Sequence, residues 1–189
     1  MNDLASQHRD ATEAVRPIVA AVDASDLARP TPCAGWDVRE LLNHIVAGNW
    51  WAARLAAGAT IDDVGSDLDG DQLGDDALGA YERSADAAAT AFEAPGALAA
   101  PCAVSYGPVP GAVYAGHRML DLLVHGVDLA DATGQPVTYP PALVDACWAV
   151  VEPQLPELQA SGAFGQPVTV DPGADSLTRL LGALGRRRP

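Results

Sequence analysis

Twenty-two residues, VYAGHRMLDLLVHGVDLADATG from 113 to 134, constrain the fold of this chain more than any other segment. Placed on a helix at ~100° per residue, His117, Asp128, Asp121, Tyr114, His125 and Arg118 fall in that angular order within one sector about 100° wide. The rest of the circumference through Leu129 is apolar or glycine, supplied by Val113, Met119, Leu120, Leu122, Leu123, Val124 and Val127. A surface helix shows the reverse proportion. The pattern therefore predicts a helix buried on most sides, with a narrow polar stripe turned toward an interior site or cleft.

The remaining segments read as partners for that helix. Apolar residues at helical spacing (Ala11, Val15, Ile18, Val19, Val22) predict a first helix from about Asp3 to Asp26, ending before Arg29-Pro30. Pro30-Thr31-Pro32-Cys33-Ala34-Gly35 cannot continue it, whereas Trp36-Asp37 followed three residues on by Glu40 reads as a capping box opening a helix from about Val38 to Ala57. An Asp- and Gly-rich stretch between Gly58 and Gly74 lacks the closing Glu and central Gly of an EF-hand and reads as a solvated acidic loop. Further helices are expected over Asp75 to Glu93, Ala112 to Ala132 (closed by Gly134) and Pro141 to Ala160, the last with kink points at Pro153 and Pro156. A short extended piece is expected around Ala103 to Tyr106, a brief strand at Pro167 to Val170 and a final helix near Ser176 to Leu184. The expectation is an all-α bundle over 1–160 with a small extension over 161–189, packed on the bundle and carrying the short strand and helix.

Within the polar stripe, Asp121 and His125 lie four apart, one above the other on the helix, so both can reach the same ion. His44, in ELLNHIVAGNWW, shares a face with Leu41, Trp51 and Leu55 and points inward, which makes it a candidate third ligand. The residues alone leave two readings open. One is a divalent-metal site at His44, Asp121 and His125; the other is core histidines satisfied by hydrogen bonds beside an Arg118–Asp121 salt bridge.

Composition removes several function classes. With 25 acidic and 11 basic residues the net charge is -14, which repels phosphate backbones and anionic headgroups, so neither a nucleic-acid nor a membrane-surface partner is expected. All the basic residues are arginine, so lysine nucleophiles and Schiff bases are excluded. Cys33, Cys102 and Cys147 are too few and too widely spaced for a disulfide framework or a paired-cysteine zinc site. Together with a start lacking a signal-peptide pattern and the absence of a bilayer-length apolar run, this makes a reducing cytoplasm the expected location.

Three segments carry a resemblance: TPCAGWDVRELLNHIV (31–46), RMLDLLVHGVDLADATG (118–134), and GAFGQPVTV with LLGALGRRRP at the end. Together they resemble the actinobacterial branch of the DinB/YfiT-like superfamily, the mycothiol-dependent maleylpyruvate isomerase-like metal-binding proteins. The resemblance covers nearly the whole chain. It implies a four-helix bundle with a divalent metal, zinc or nickel, held by one histidine of the second helix and two ligands one turn apart on the fourth. On this sequence those are His44, Asp121 and His125. The isomerase carries glutamate where this chain has Asp121, a difference that shifts the carboxylate by one methylene.

Two imidazoles and one carboxylate leave a tetrahedral zinc one open position. The resemblance implies that mycothiol fills it, so that a small-molecule thiol meets an electrophilic substrate in an S-transferase or isomerase reaction. The other candidate residues are Asp128, to orient an imidazole or Arg118; Arg118, to hold a substrate carboxylate; and His117, to line the cleft or shuttle protons. A zinc-dependent hydrolase and a non-catalytic metal- or ligand-binding bundle are the alternatives, and monomer and homodimer are both compatible with the sequence.

Overall fold

The computed structural model describes residues 3–160, 162, 164–171 and 173–187. The chain divides into two compact units, Met1–Val137 and Thr138–Pro189. That division falls earlier than the boundary at 160 expected from sequence. Gly134 ends the long polar-stripe helix in a left-handed conformation, and Pro136, Pro140 and Pro141 then keep the chain from continuing as a bundle helix.

The first unit is built on four long helices: α1 (Leu4–Ala20), α2 (Val38–Ala56), α4 (Ala77–Glu93) and α5 (Gly111–Thr133), with a one-turn α3 (Ile61–Val64) between the second and third of them. Helix α2 packs on α4 and α5, and α1 packs on the same two, so α1 and α2 face each other diagonally. Alanines 80, 85, 88 and 89 lie on the buried face of α4, beside Tyr81, Ser84 and Phe92, and allow close approach of its neighbours. Leu41, Leu42, Ile45, Leu122 and Leu123 are fully buried between the helices, each contributing about 1.5–3 kcal/mol by leaving water.

The expected capping box opens α2: Asp37 Oδ1 accepts the Glu40 N–H and Glu40 Oε2 accepts the Asp37 N–H, both at 2.9 Å. Helix α1 stops at Ala20, short of the expected Asp26, and a 3-10 turn at Ala24–Asp26 follows, capped by Asp23. The extended piece near Ala103 is one arm of a hairpin, β1 (Pro101–Val104) paired antiparallel with β2 (Gly107–Pro110) across Ser105-Tyr106. The acidic stretch is tethered rather than merely solvated. Arg39 meets Asp71 at 2.8 Å, and Asn43 donates to Gly70 O at 2.9 Å and accepts from Gln72 N at 2.7 Å.

In the second unit the segment expected as one helix over Pro141 to Ala160 is broken into α6 (Pro141–Val151), a 3-10 turn over Glu152–Gln154 and α7 (Leu155–Ala160). Pro153 lacks the N–H an α-helix needs there. Residues 167–170 form no strand among the described residues. Val168 donates to Gly182 O at 2.9 Å, on α8 (Ser176–Ala183), where the expected last helix lies. No helix among the described residues is long and apolar enough to cross a membrane.

One buried polar group on α1 adds a pH dependence to the stability of the bundle. His8 on α1 is fully buried against Phe92, and neither ring nitrogen has a hydrogen-bond partner among the described residues. Burial, followed by the charges of Arg118 and Arg9, pushes its pKa down from 6.5 to about 3. The neutral ring therefore contributes full stability above pH 6.5, and that contribution is lost as the pH falls toward 3, because the unfolded chain takes up the proton first. Between pH 6.5 and 4.5 the loss is roughly 2–3 kcal/mol. Urea unfolding across that range should show this slope in the wild type and a flatter profile in His8→Leu; parallel profiles would exclude His8 as the source.

Candidate functional site

The seam between α2 and α5 gathers most of the polar stripe. On α5, Arg118 and Asp128 are buried while His117, Asp121 and His125 are half-buried; His44 faces them from α2, also half-buried. Asp121 Oδ1 lies 3.5 Å from His44 Nε2 and 3.5 Å from His125 Nε2. These three donor atoms all lie within 4.8 Å of one another. Ligand atoms of a tetrahedral zinc with bonds of ~2.0–2.1 Å stand about 3.3 Å apart, so the donor set fits a divalent ion of that size.

The second carboxylate oxygen of Asp121 is held by Arg118 Nη1 at 2.9 Å, which leaves Oδ1 directed to the imidazoles. Arg118 Nη2 in turn donates to Asn49 Oδ1 at 3.4 Å, and Asn49 donates to Ser84 Oγ at 3.3 Å. Gly48 makes room for this: a Cβ there would stand 2.5 Å from Arg118 Nη1. Burial pushes the Asp121 carboxyl pKa up, but Arg118, the His44 ring and His125 more than reverse it and hold the group well below the carboxylate range.

His125 is anchored through its other nitrogen. Its Nδ1 lies 3.0 Å from Asp128 Oδ2, on a carboxylate 2% exposed. Cys33 Sγ donates to the same Asp128 oxygen at 3.2 Å and lies 3.7 Å from His125 Nδ1. Burial lowers the imidazole pKa, yet the hydrogen bonds that the ring makes to Asp128 and Cys33, with the charges of Asp121 and Asp128, outweigh it and raise it from 6.5 to about 9. Cys33, His125 and Asp128 form a second group with ligand atoms within 4.8 Å of one another, so His125 joins two clusters, one through each nitrogen.

The loop that delivers Cys33 is built by its own hydrogen bonds. Thr31 Oγ1 donates to Trp36 O at 2.8 Å and accepts the Cys33 N–H at 3.1 Å, and Trp36 N donates to Cys33 O at 3.0 Å. Gly35 turns the chain at φ 83°, a value costly for any side chain. The loop sets the Trp36 ring 4.7 Å from His44 and 6.1 Å from His125, centroid to centroid. Neither Trp36 nor Cys33 is among the site residues that the sequence marks, because nothing in local periodicity places a loop over a helix seam. Asn49 was also missed, although its buried place on α2, five residues after His44, was open to the periodicity argument.

His117 does not join the cluster. Its Nδ1 lies 2.7 Å from the hydroxyl of Tyr106, the hairpin-turn residue. His44 and Trp36 also line a polar trough of about 560 Å³, together with Arg39, Asn43, Asp69 and Asp71.

Residues 8–130 match the mycothiol maleylpyruvate isomerase N-terminal domain family. An uncharacterized protein of Mycobacterium tuberculosis, found in strains H37Rv and CDC 1551, is 34% identical over 180 residues, spanning 93% of this chain and 94% of its own length. Among solved structures, the mycothiol-dependent maleylpyruvate isomerase superposes with a TM-score of 0.64 at 15% identity over 93% of this chain and 81% of its own. A DinB-like protein of Bacillus subtilis superposes at 0.58 and 12% identity, over 74% of this chain and 96% of its own. These two share the fold, a DinB-like helical bundle, and the match over residues 8–130 adds the family: the chain belongs to the mycothiol maleylpyruvate isomerase N-terminal domain family.

Proposed function

We propose that this protein binds a divalent metal, zinc in the first instance, at His44, Asp121 and His125, and uses it with mycothiol to modify an electrophilic small molecule by S-transfer or isomerisation. The observation that carries the reading is the convergence of two imidazole Nε2 atoms on one Asp121 oxygen, each at 3.5 Å. Family membership supports mycothiol as the thiol. The trough beside His44 supports it as well, because Arg39, Asn43, Asp69 and Asp71 offer both donors and acceptors to a hydroxyl-rich sugar thiol.

When bound, the ion supplies Lewis acidity that holds a thiol as its nucleophilic thiolate near neutral pH. The rest falls to the chain. Arg118 fixes Asp121 with one oxygen presented to the imidazoles. Asp128 holds His125 by Nδ1 so that Nε2 faces His44 and Asp121, the carboxylate–imidazole arrangement that orients metal-binding histidines. Trp36 lies against both rings and narrows the approach of water. The thiolate sulfur adds to an electrophilic carbon and the displaced electron pair takes a proton. Retention of the adduct is S-transfer, whereas rotation and loss of the thiol is isomerisation. Asp128 sits behind the His125 ring, on the Nδ1 side, and there serves as a positioning residue.

Metal analysis of the purified protein followed by calorimetric titration with mycothiol tests the reading. One zinc or nickel per chain and saturable mycothiol binding, both lost in His44→Ala, are expected; a wild type without affinity for either metal would overturn the site. Above pH 9, where the His125 ring is neutral with or without its carboxylate partner, Asp128→Asn should weaken zinc binding by about 10–100-fold without abolishing it. An unchanged affinity would mean that Asp128 does not position His125.

A further inference from the structure

A second cavity opens on the same seam, two helical turns from the candidate metal site. It has a volume of about 370 Å³ and is lined by Trp51, Leu55, Ile61, Val104, Tyr106 and Tyr114. Trp51 lies seven residues after His44 on α2, and Tyr114 seven residues before Asp121 on α5. Because His44 meets Asp121 while Trp51 and Tyr114 share this cavity, the two helices run antiparallel here, and the cavity centre lies about 10 Å along the seam from the ligand atoms. Between them stands the Arg118–Asn49 contact. Tyr106 joins the two regions, lining the cavity while its hydroxyl lies 2.7 Å from His117, one turn before Asp121.

Two features identify what the cavity takes. The exposed large hydrophobic residues among those described are Ile61 (38%) and Tyr106 (62%), and both line it. The two large hydrophobic residues most exposed to water thus meet at one opening, an apolar patch of the kind that accompanies binding sites. The walls also carry no charged side chain that could pair with a carboxylate, and the chain as a whole carries a net charge of -14. The Arg118 charge is felt by Tyr106 and Tyr114, but Arg118 is not part of the lining and is already paired with Asp121 at 2.9 Å, so a small dianion finds no cation in the walls, whereas an aryl or alkyl group finds aromatic and aliphatic surfaces.

We propose that this cavity receives the apolar portion, an aryl or alkyl group, of the electrophile that the thiol attacks, so that the substrate of this protein is an uncharged, apolar electrophile. This rests on the thiol reaction proposed above, and two arms separate the two ideas. The first arm uses a neutral fluorescent probe, N-phenyl-1-naphthylamine, with the metal-free full-length protein. Saturable binding is expected, weakened about tenfold or more by Ile61→Glu and unchanged by His44→Ala. Ile61 is exposed at the start of α3, where glutamate suits a helix N-terminus, so this variant folds. Absence of saturable binding, or binding indifferent to Ile61→Glu, would overturn the cavity assignment and leave the thiol reaction standing.

The second arm compares N-phenylacrylamide with N-methylacrylamide as acceptors of mycothiol on the zinc-loaded protein. The sulfur bonds to the terminal carbon, the C=C π pair moves to the carbon beside the carbonyl, and that carbon takes the proton. A preference for the phenyl compound of about tenfold or more in kcat/KM is expected, abolished by Ile61→Glu. Equal rates would exclude the cavity as the substrate site. Turnover of neither compound, with probe binding intact, would overturn the thiol reaction and with it this substrate assignment.

Discussion

His44→Ala is expected to weaken zinc binding by more than about a hundredfold while the bundle stays folded. Loss of a partner that merely orients a ligating histidine costs about 10–100-fold in metal affinity, so loss of one of the three proposed ligands should exceed that. The His44 side chain is 36% exposed, and its removal leaves α2 held by Leu41, Leu42, Ile45 and Val46, all fully buried. His125→Ala should lose as much affinity and also stability. It removes a largely buried ring from between Asp121 and Asp128 and takes a hydrogen-bond partner from a carboxylate only 2% exposed. Competition with a chelator of known affinity, alongside thermal unfolding of the same samples, checks both statements. Equal zinc affinity in wild type and His44→Ala would remove His44 from the site.

The second large effect is on pH. In the metal-free protein the His125 pKa is raised to about 9, so at neutral pH its ring carries a proton that must leave before Nε2 can act as a ligand. Apparent zinc affinity should therefore rise about tenfold per pH unit from 7 to 9 and then level off. The same shift acts on folding in the opposite sense. The charged ring adds stability to the metal-free protein that is fully present below pH 6.5 and is lost as the pH rises through 9. His8, with its pKa lowered, gives the reverse slope on the acid side. Asp128→Asn removes the hydrogen bond that most raises the His125 pKa, so the affinity profile should level off at a lower pH. A zinc affinity flat between pH 7 and 9 would contradict the assignment of His125.

The stripe on α5 was readable because a buried helix leaves few places for charge, and a period of 3.6 residues sorts those places by angle. The pairing of His44 with Asp121 followed from the same rule applied to α2. What periodicity could not show is the part of the site built by non-helical chain. Cys33 and Trp36 reach the seam through a loop whose shape depends on Thr31, Gly35 and backbone hydrogen bonds among themselves. The apolar cavity draws Ile61, Val104 and Tyr106 from a one-turn helix and a hairpin, elements too short to carry a period. In the second unit Pro153 did more than kink a helix: its missing N–H falls in the 3-10 turn Glu152–Gln154, which separates the 11-residue α6 from the six-residue α7.

The proposed reaction requires the α2–α5 seam to bring a divalent metal and a small thiol into direct contact. Titrating the cobalt-substituted protein with mycothiol while recording the near-ultraviolet spectrum tests it most directly. A sulfur-to-cobalt charge-transfer band that saturates at one thiol per metal is the expected result. A protein that binds cobalt at His44, Asp121 and His125 yet shows no such band at any mycothiol concentration would contradict the account.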